Sequence, residues 1–223
     1  MKKLLIAILV SLGSFSMVSA EIGVNVGVSL SVGEYQASGF EIEDDETSGK
    51  QKEEMVGALG SFFIEKELSF LPWHLKRITV GYDKVLHKVA TGTHDTHRTD
   101  QKGGSIADAG GTQKVSADID NISTVYATLR LTDWLYLKTG SMSMDVITTE
   151  SLHTGSTYPN ASLDGDMVGI GFVHTSDSGL FFRAEYSESS IDGVKLISSN
   201  TANSVTLDGV DSENATLSIG KAF

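Results

Sequence analysis

Two histidines stand three residues apart in His94-Asp95-Thr96-His97, a spacing at which imidazoles share a metal ion in known sites. No helix pattern flanks them and no second ligand cluster accompanies them, so the expectation is a solvated loop without a metal. His174-Thr175-Ser176, followed by Asp177, is the one compact group with a base beside a hydroxyl. It falls at a short turn, and a nucleophile needs a base that is itself oriented by a third group. No catalytic residue is therefore assigned. The acidic run Glu41, Glu43, Asp44, Asp45 and Glu46 could hold calcium or bridge another anion through divalent ions. It lacks the glycine and terminal glutamate of a helix-loop-helix calcium loop, and a self-repelling surface loop is the default. Three tetrads, Leu163-Asp164-Gly165-Asp166, Ile191-Asp192-Gly193-Val194 and Leu207-Asp208-Gly209-Val210, place Asp-Gly where strands end. They read as β-bulges, with a shared calcium site as the alternative.

A different set of charges lies inside apolar strands. Glu65, Asp83, Arg130, Arg183 and Glu185 all fall on the face opposite the apolar residues of their strands. Such a set could carry protons or ions. It could equally be a network of buried pairs filling a narrow interior, and this second reading is preferred, because an unpaired buried charge costs several kcal/mol.

The elements that would position those charges alternate with a period of two. Ile22, Val24, Val26, Val28, Leu30 and Val32 alternate with Gly23, Asn25, Gly27, Ser29, Ser31 and Gly33. Further strands read from Val56 to Ile64, Ile78 to Leu86, Val115 to Leu131, Trp134 to Ile147, Val168 to Phe172, Leu180 to Tyr186, and Val205 to Phe223. The fifth is ambiguous: Met142, Met144 and Val146 alternate cleanly with serine and aspartate, yet Lys138 falls on the methionine side. Connections alternate short and long, with long ones at about 34–53, 91–114, 148–166 and 198–203. That layout belongs to an all-β, closed, antiparallel up-and-down transmembrane β-barrel of eight strands. Only closure pairs every backbone group inside lipid. Trp73, Trp134 and Tyr136 near the short turns would form an interfacial girdle.

Residues 1–20 have a signal-peptide plan: Lys2 and Lys3, an apolar run from Leu4 to Val10, and the small-residue site Val18-Ser19-Ala20. The expected organisation is a cleaved signal at 1–20 and one barrel domain at 21–223. Taking 20 residues and two lysines from a chain of 223 residues and net charge −12 leaves 203 residues at −14. That charge argues against nucleic acid as a partner. The absence of cysteine from the sequence excludes disulfides and thiolate metal sites. No cofactor is expected.

The chain ends Ala215-Thr216-Leu217-Ser218-Ile219-Gly220-Lys221-Ala222-Phe223. This resembles the terminal strand of small bacterial outer-membrane β-barrel proteins, which closes on an aromatic after alternating apolar residues. Lys221 departs from that pattern. Gly179-Leu180-Phe181-Phe182-Arg183-Ala184-Glu185-Tyr186 is similar to a membrane-barrel strand with its charges turned inward. The resemblance implies an outer-membrane location, a signal to the barrel-assembly machinery in the last strand, and contacts with lipid and lipopolysaccharide. It also implies long outer loops facing the environment, a phage or a host ligand. The expected role is a non-enzymatic surface barrel. A narrow solute channel and a lipid-modifying enzyme are the alternatives.

Overall fold

The computed structural model describes residues 23–43, 46–47, 50–69, 72, 77–98, 111–152, 157–199 and 203–223. The signal segment, the indole of Trp73, Asp44 and Asp45 lie outside these residues. No helix among them is long and apolar enough to cross a membrane, which says nothing of crossing by strands.

Ten strand segments follow one another: β1 Val24–Glu43, β2 Glu46–Thr47, β3 Gln51–Glu67, β4 Ile78–Val85, β5 Val89–Arg98, β6 Gly111–Arg130, β7 Leu135–Ser151, β8 Ala161–Thr175, β9 Leu180–Ile197 and β10 Ser204–Ala222. The strands pair antiparallel in the order β1-β3-β4-β6-β7-β8-β9-β10, and β10 returns to β1, closing the sheet. Both β4 and β5 pair with β6 and form one interrupted stave, while β2 is a two-residue appendage of β1. The barrel therefore has eight staves. Its ends are tied where Gly23 N donates to Phe223 O at 2.7 Å and Phe223 N to Val24 O at 2.9 Å.

The β9–β10 ladder pairs Ile191 with Val210, Val194 with Leu207 and Leu196 with Val205, in one register that continues down to Leu180 and Lys221. Asp208 is the extra residue of a bulge, marked by the register shift opposite Ser38/Gly39 and by Gly209 at φ +147°. Gly165 is different. It sits in an unbroken ladder between Met142 and Ile191, so the first Asp-Gly tetrad is plain strand.

Much of what the sequence suggested as long loops is strand. β1 continues through Glu41 to Glu43, β5 takes the backbone of His94 and His97 into a ladder with β6, and β7 and β8 consume most of 148–166. The polar composition of these stretches misleads because both solvents differ from the expected ones. Along β8, Phe172, Ile170 and Val168 face outward, and then Asp166, Asp164 and Ser162 take the same face; inward, Val173 and two glycines give way to Met167 and Leu163. The wall passes from lipid into water, and its patterning inverts.

The same inversion resolves β7. Tyr136, Lys138, Met142 and Met144 all point inward on one continuous face, without a bulge, while Leu137 and then Ser143 point outward. Ile122, Met144, Leu163 and Ile191 form an apolar core above the membrane band, joined by Val85, Val89, Ile119, Met142 and Val194. A second cluster, Phe63, Tyr136, Val173 and Phe181, fills the short-turn end. Tyr136 is thus 3% exposed and not part of a girdle, whereas Trp134 is exposed and stacks on Phe172 with ring centroids 5.5 Å apart.

Inner aromatic rings lie on glycines of the next stave. A Cβ on Gly27 would meet the Phe63 ring at 2.4 Å, one on Gly81 the Tyr126 ring at 2.4 Å, one on Gly171 the Tyr136 ring at 2.4 Å, and one on Gly220 the Phe181 ring at 2.4 Å. Glycine is required there because a ring and a side chain cannot occupy one site in a close-packed interior.

Candidate functional site

The lumen and the rim above it are the two places where chemistry gathers. In the lumen, Glu65 of β3 is 2% exposed. Arg183 of β9, on the far wall, grips it with Nη1 to Oε1 at 2.5 Å and Nη2 to Oε2 at 2.6 Å. This two-pronged geometry is the strongest form of the pair. Tyr126 Oη donates to Oε1 at 2.7 Å and Asn25 Nδ2 to Oε2 at 3.1 Å, so both carboxylate oxygens are shared. The guanidinium also lies 4.5 Å from the Phe181 ring centre and 5.4 Å from that of Phe63, which lets its positive face rest on aromatic quadrupoles.

Glu185 forms a second centre one step along β9. Lys138 Nζ donates to its Oε1 at 2.9 Å and Tyr136 Oη to its Oε2 at 2.9 Å. Lys138 also sits 4.3 Å over the Tyr126 ring, which links the two centres. Asp83 accepts from Ser61 Oγ at 2.9 Å. Arg130 is set apart from Arg183 and Glu185. It stands nearer the mouth, 3.5 Å from Glu67 Oε1, and reaches the Glu65 centre only through Asn25, which donates to that same Glu67 oxygen at 3.3 Å. Sequence reading missed Lys138, Tyr126, Tyr136 and Asn25 as members of the set. Lys138 and Asn25 carried a signal, since each is polar on the inward face. The two tyrosines carried none, because an inward tyrosine and a girdle tyrosine look alike in sequence.

The other candidates do not assemble. Ser176 Oγ is engaged with Ser178 Oγ at 2.9 Å and Leu180 O at 3.0 Å, both within its own turn, and His174 is exposed. The side chains of His94 and His97 lie outside the described residues. Among the described residues, no three carboxylate or imidazole groups converge as metal ligands would. Where the wall leaves the band, carboxylates point outward: Glu34, Asp166, Glu188 and Glu213 share the rim of an open recess of about 440 Å³ on the outer wall. Above them Asn121, at φ +54°, makes a bulge in β6. Its Nδ2 donates to Asp145 Oδ2 at 2.8 Å, and Ser162 Oγ donates to Asp145 Oδ1 at 2.7 Å. These two bonds, the serine's first, hold the Asp145 carboxyl below the usual carboxylate range.

Leu30, Val125, Val168 and Leu217 are all more than half exposed on the outer wall, at 56%, 64%, 57% and 66%, with Phe62, Ile64, Val80, Ile170 and Phe182 beside them. A continuous apolar belt around a polar, paired interior defines a membrane-spanning β-barrel, the fold of small bacterial outer-membrane proteins. No protein-family model and no curated protein matches the chain. Solved structures do match: the outer membrane protease OmpT of Escherichia coli aligns with a TM-score of 0.52 at 8% identity, covering 94% of this chain and 100% of that one. The outer membrane protein OprG of Pseudomonas aeruginosa gives 0.45 at 10% identity, covering 91% and 97%, and Neisserial surface protein A gives 0.35 at 12%, covering 87% and 97%. At such identity the first of these likenesses carries the fold alone.

Proposed function

We propose that this chain is a non-enzymatic surface barrel, anchored among outer-membrane lipid and lipopolysaccharide, whose water-exposed extension recognises a partner while its lumen stays shut. The observation that carries this reading is the Glu65–Arg183 pair, which joins opposite walls through two bonds of 2.5 and 2.6 Å. An eight-stranded barrel is just wide enough for side chains to fill. Among the described residues, Tyr126, Tyr136, Lys138 and Glu185 surround that pair and an apolar cluster lies at each end, an arrangement that supports a shut lumen. The charges are then structural. Residues 1–20 serve as the cleaved signal, and β10 with the terminal Phe223 serves as the segment presented to the assembly machinery. Catalysis finds no support in the bonds made by Ser176. The test is single-channel recording in planar bilayers. A closed baseline is expected; steps of the size seen with open porins would make the protein a channel instead.

A further inference from the structure

The eight-stave wall is not closed over its full height. β3 extends up to Gln51, yet β4 pairs with it only from Ser61 to Glu67. The last bonds of that seam are at Gly60, whose O accepts from Leu86 N at 3.0 Å and whose N donates to His87 Nε2 at 3.1 Å. The imidazole takes the place of a strand carbonyl. Beyond it the chain enters β5, which pairs with β6 alone.

The β1–β3 register is unbroken from Val24/Lys66 to Gly39/Gln51, so the backbone of β3 alternates regularly over that whole length. Gly60 turns its N–H and C=O away from β1. Every second residue above it must do the same, and these are Ala58, Val56, Glu54 and Lys52. Among the described residues, no strand bonds to that edge, and Val56 is 74% exposed. Proteins usually cover, shorten or bend such an edge, because it is a template for another strand.

We propose that the β3 edge from Lys52 to Ala58 receives an extended peptide segment of a partner protein as an added strand. This rests on the surface-recognition reading and names the kind of partner. Among the described residues no strand takes the four N–H and four C=O groups of this edge, which stand in the water-exposed extension and are open to a ladder partner. A strand laid there continues the wall. Its alternate side chains would point inward beside Met55, Leu59, Val85 and Val89, and the others outward beside Lys52 and Glu54. The partner segment is therefore amphipathic with a period of two, and backbone bonds give affinity while the alternate pockets give selectivity. A second copy upright in the same membrane runs its β3 in the same sense, so pairing of β3 with β3 would take the slightly less stable parallel register.

The test uses the full chain refolded in detergent micelles and a fluorescein-labelled peptide, Thr-Val-Thr-Val-Thr-Val-Thr, with a central Val-to-Pro peptide as control. Saturable polarisation is expected, at least ten-fold weaker for the control peptide and for the variant Val56→Pro. Proline is tolerated on a free edge, so that variant should still fold, as its heat-modifiable migration would show. Amide exchange at Lys52, Glu54, Val56 and Ala58 should be fast in the free protein and at least ten-fold slower with peptide bound. Slow exchange without peptide, no saturable binding, binding indifferent to Val56→Pro, or a stable dimer by light scattering would each overturn the proposal. Porin-sized conductance would instead defeat the surface reading while leaving these exchange results standing.

Discussion

Replacing Glu65 by Gln keeps the shape of the side chain and removes its charge. One amide oxygen still accepts from Tyr126 or from Arg183, but the second guanidinium bond, 2.6 Å in the native protein, is lost, and Arg183 becomes an uncompensated cation. Glu65 is 2% exposed, and the Arg183 side chain is 12% exposed, so water cannot take over the missing role. Breaking one partner of such a pair costs about 3–5 kcal/mol. Removing both charges in Glu65→Leu with Arg183→Met should recover most of that loss, because similar apolar volume fills the same space and no charge is stranded. Urea unfolding of the refolded barrel in lipid vesicles, followed by fluorescence of Trp134, gives both numbers from the shift in midpoint. A Glu65→Gln loss under about 1 kcal/mol, or a double variant no better than the single one, would refute the claim that these charges are a buried, mutually dependent pair.

Other consequences follow from the same geometry. Val28→Arg, at the middle of the outward band of β1, should cost about 2–4 kcal/mol in vesicle unfolding, since the new charge faces hydrocarbon. Gly27→Ala should cost about 1–3 kcal/mol by the same measurement, because its Cβ would come within 2.4 Å of the Phe63 ring and 2.5 Å of Ile219 O, a backbone atom that cannot swing away. Met144→Asp should loosen the extension and leave the membrane part folded, seen as fast amide exchange confined to residues near Ile122, Leu163 and Ile191. The Asp145 carboxyl is lowered on folding, so its bonds contribute fully at neutral pH and are lost only as pH falls through that lowered value. The Asn121 side-chain amide resonance should therefore hold steady as pH falls through the ordinary aspartate range and move only in stronger acid.

Sequence reading worked where one solvent faces each side of a strand. Val24 to Val32 lie wholly in the band, and their alternation placed both faces correctly; the ends of β1 and β10 meet as that logic requires. It failed where a strand changes solvent. On β7 the inward residues run from Tyr136 and Lys138 to Met142 and Met144, so neither polarity nor apolarity marks the face along its whole length. β5 was hidden for a related reason: in water its ladder needs no apolar belt, and its composition reads as loop. At the candidate site, Glu65, Asp83, Arg183 and Glu185 were separable from surface charges because they interrupt apolar strands. Which of them pair was not legible, since pairing across a lumen joins residues such as 65 and 183 that no local spacing relates.

One outward face of the barrel passes from lipid into water between Val168 and Asp166. The sequence contains no cysteine, so single-cysteine spin labels at Phe172, Ile170, Val168, Asp166, Asp164 and Ser162 can be placed without background. In vesicles, the first three labels should be accessible to oxygen and shielded from a water-soluble nickel chelate, and the last three should show the reverse. Chelate access at Ile170, or oxygen-dominated collision at Asp164, would contradict the inversion and with it the placement of the barrel in the membrane.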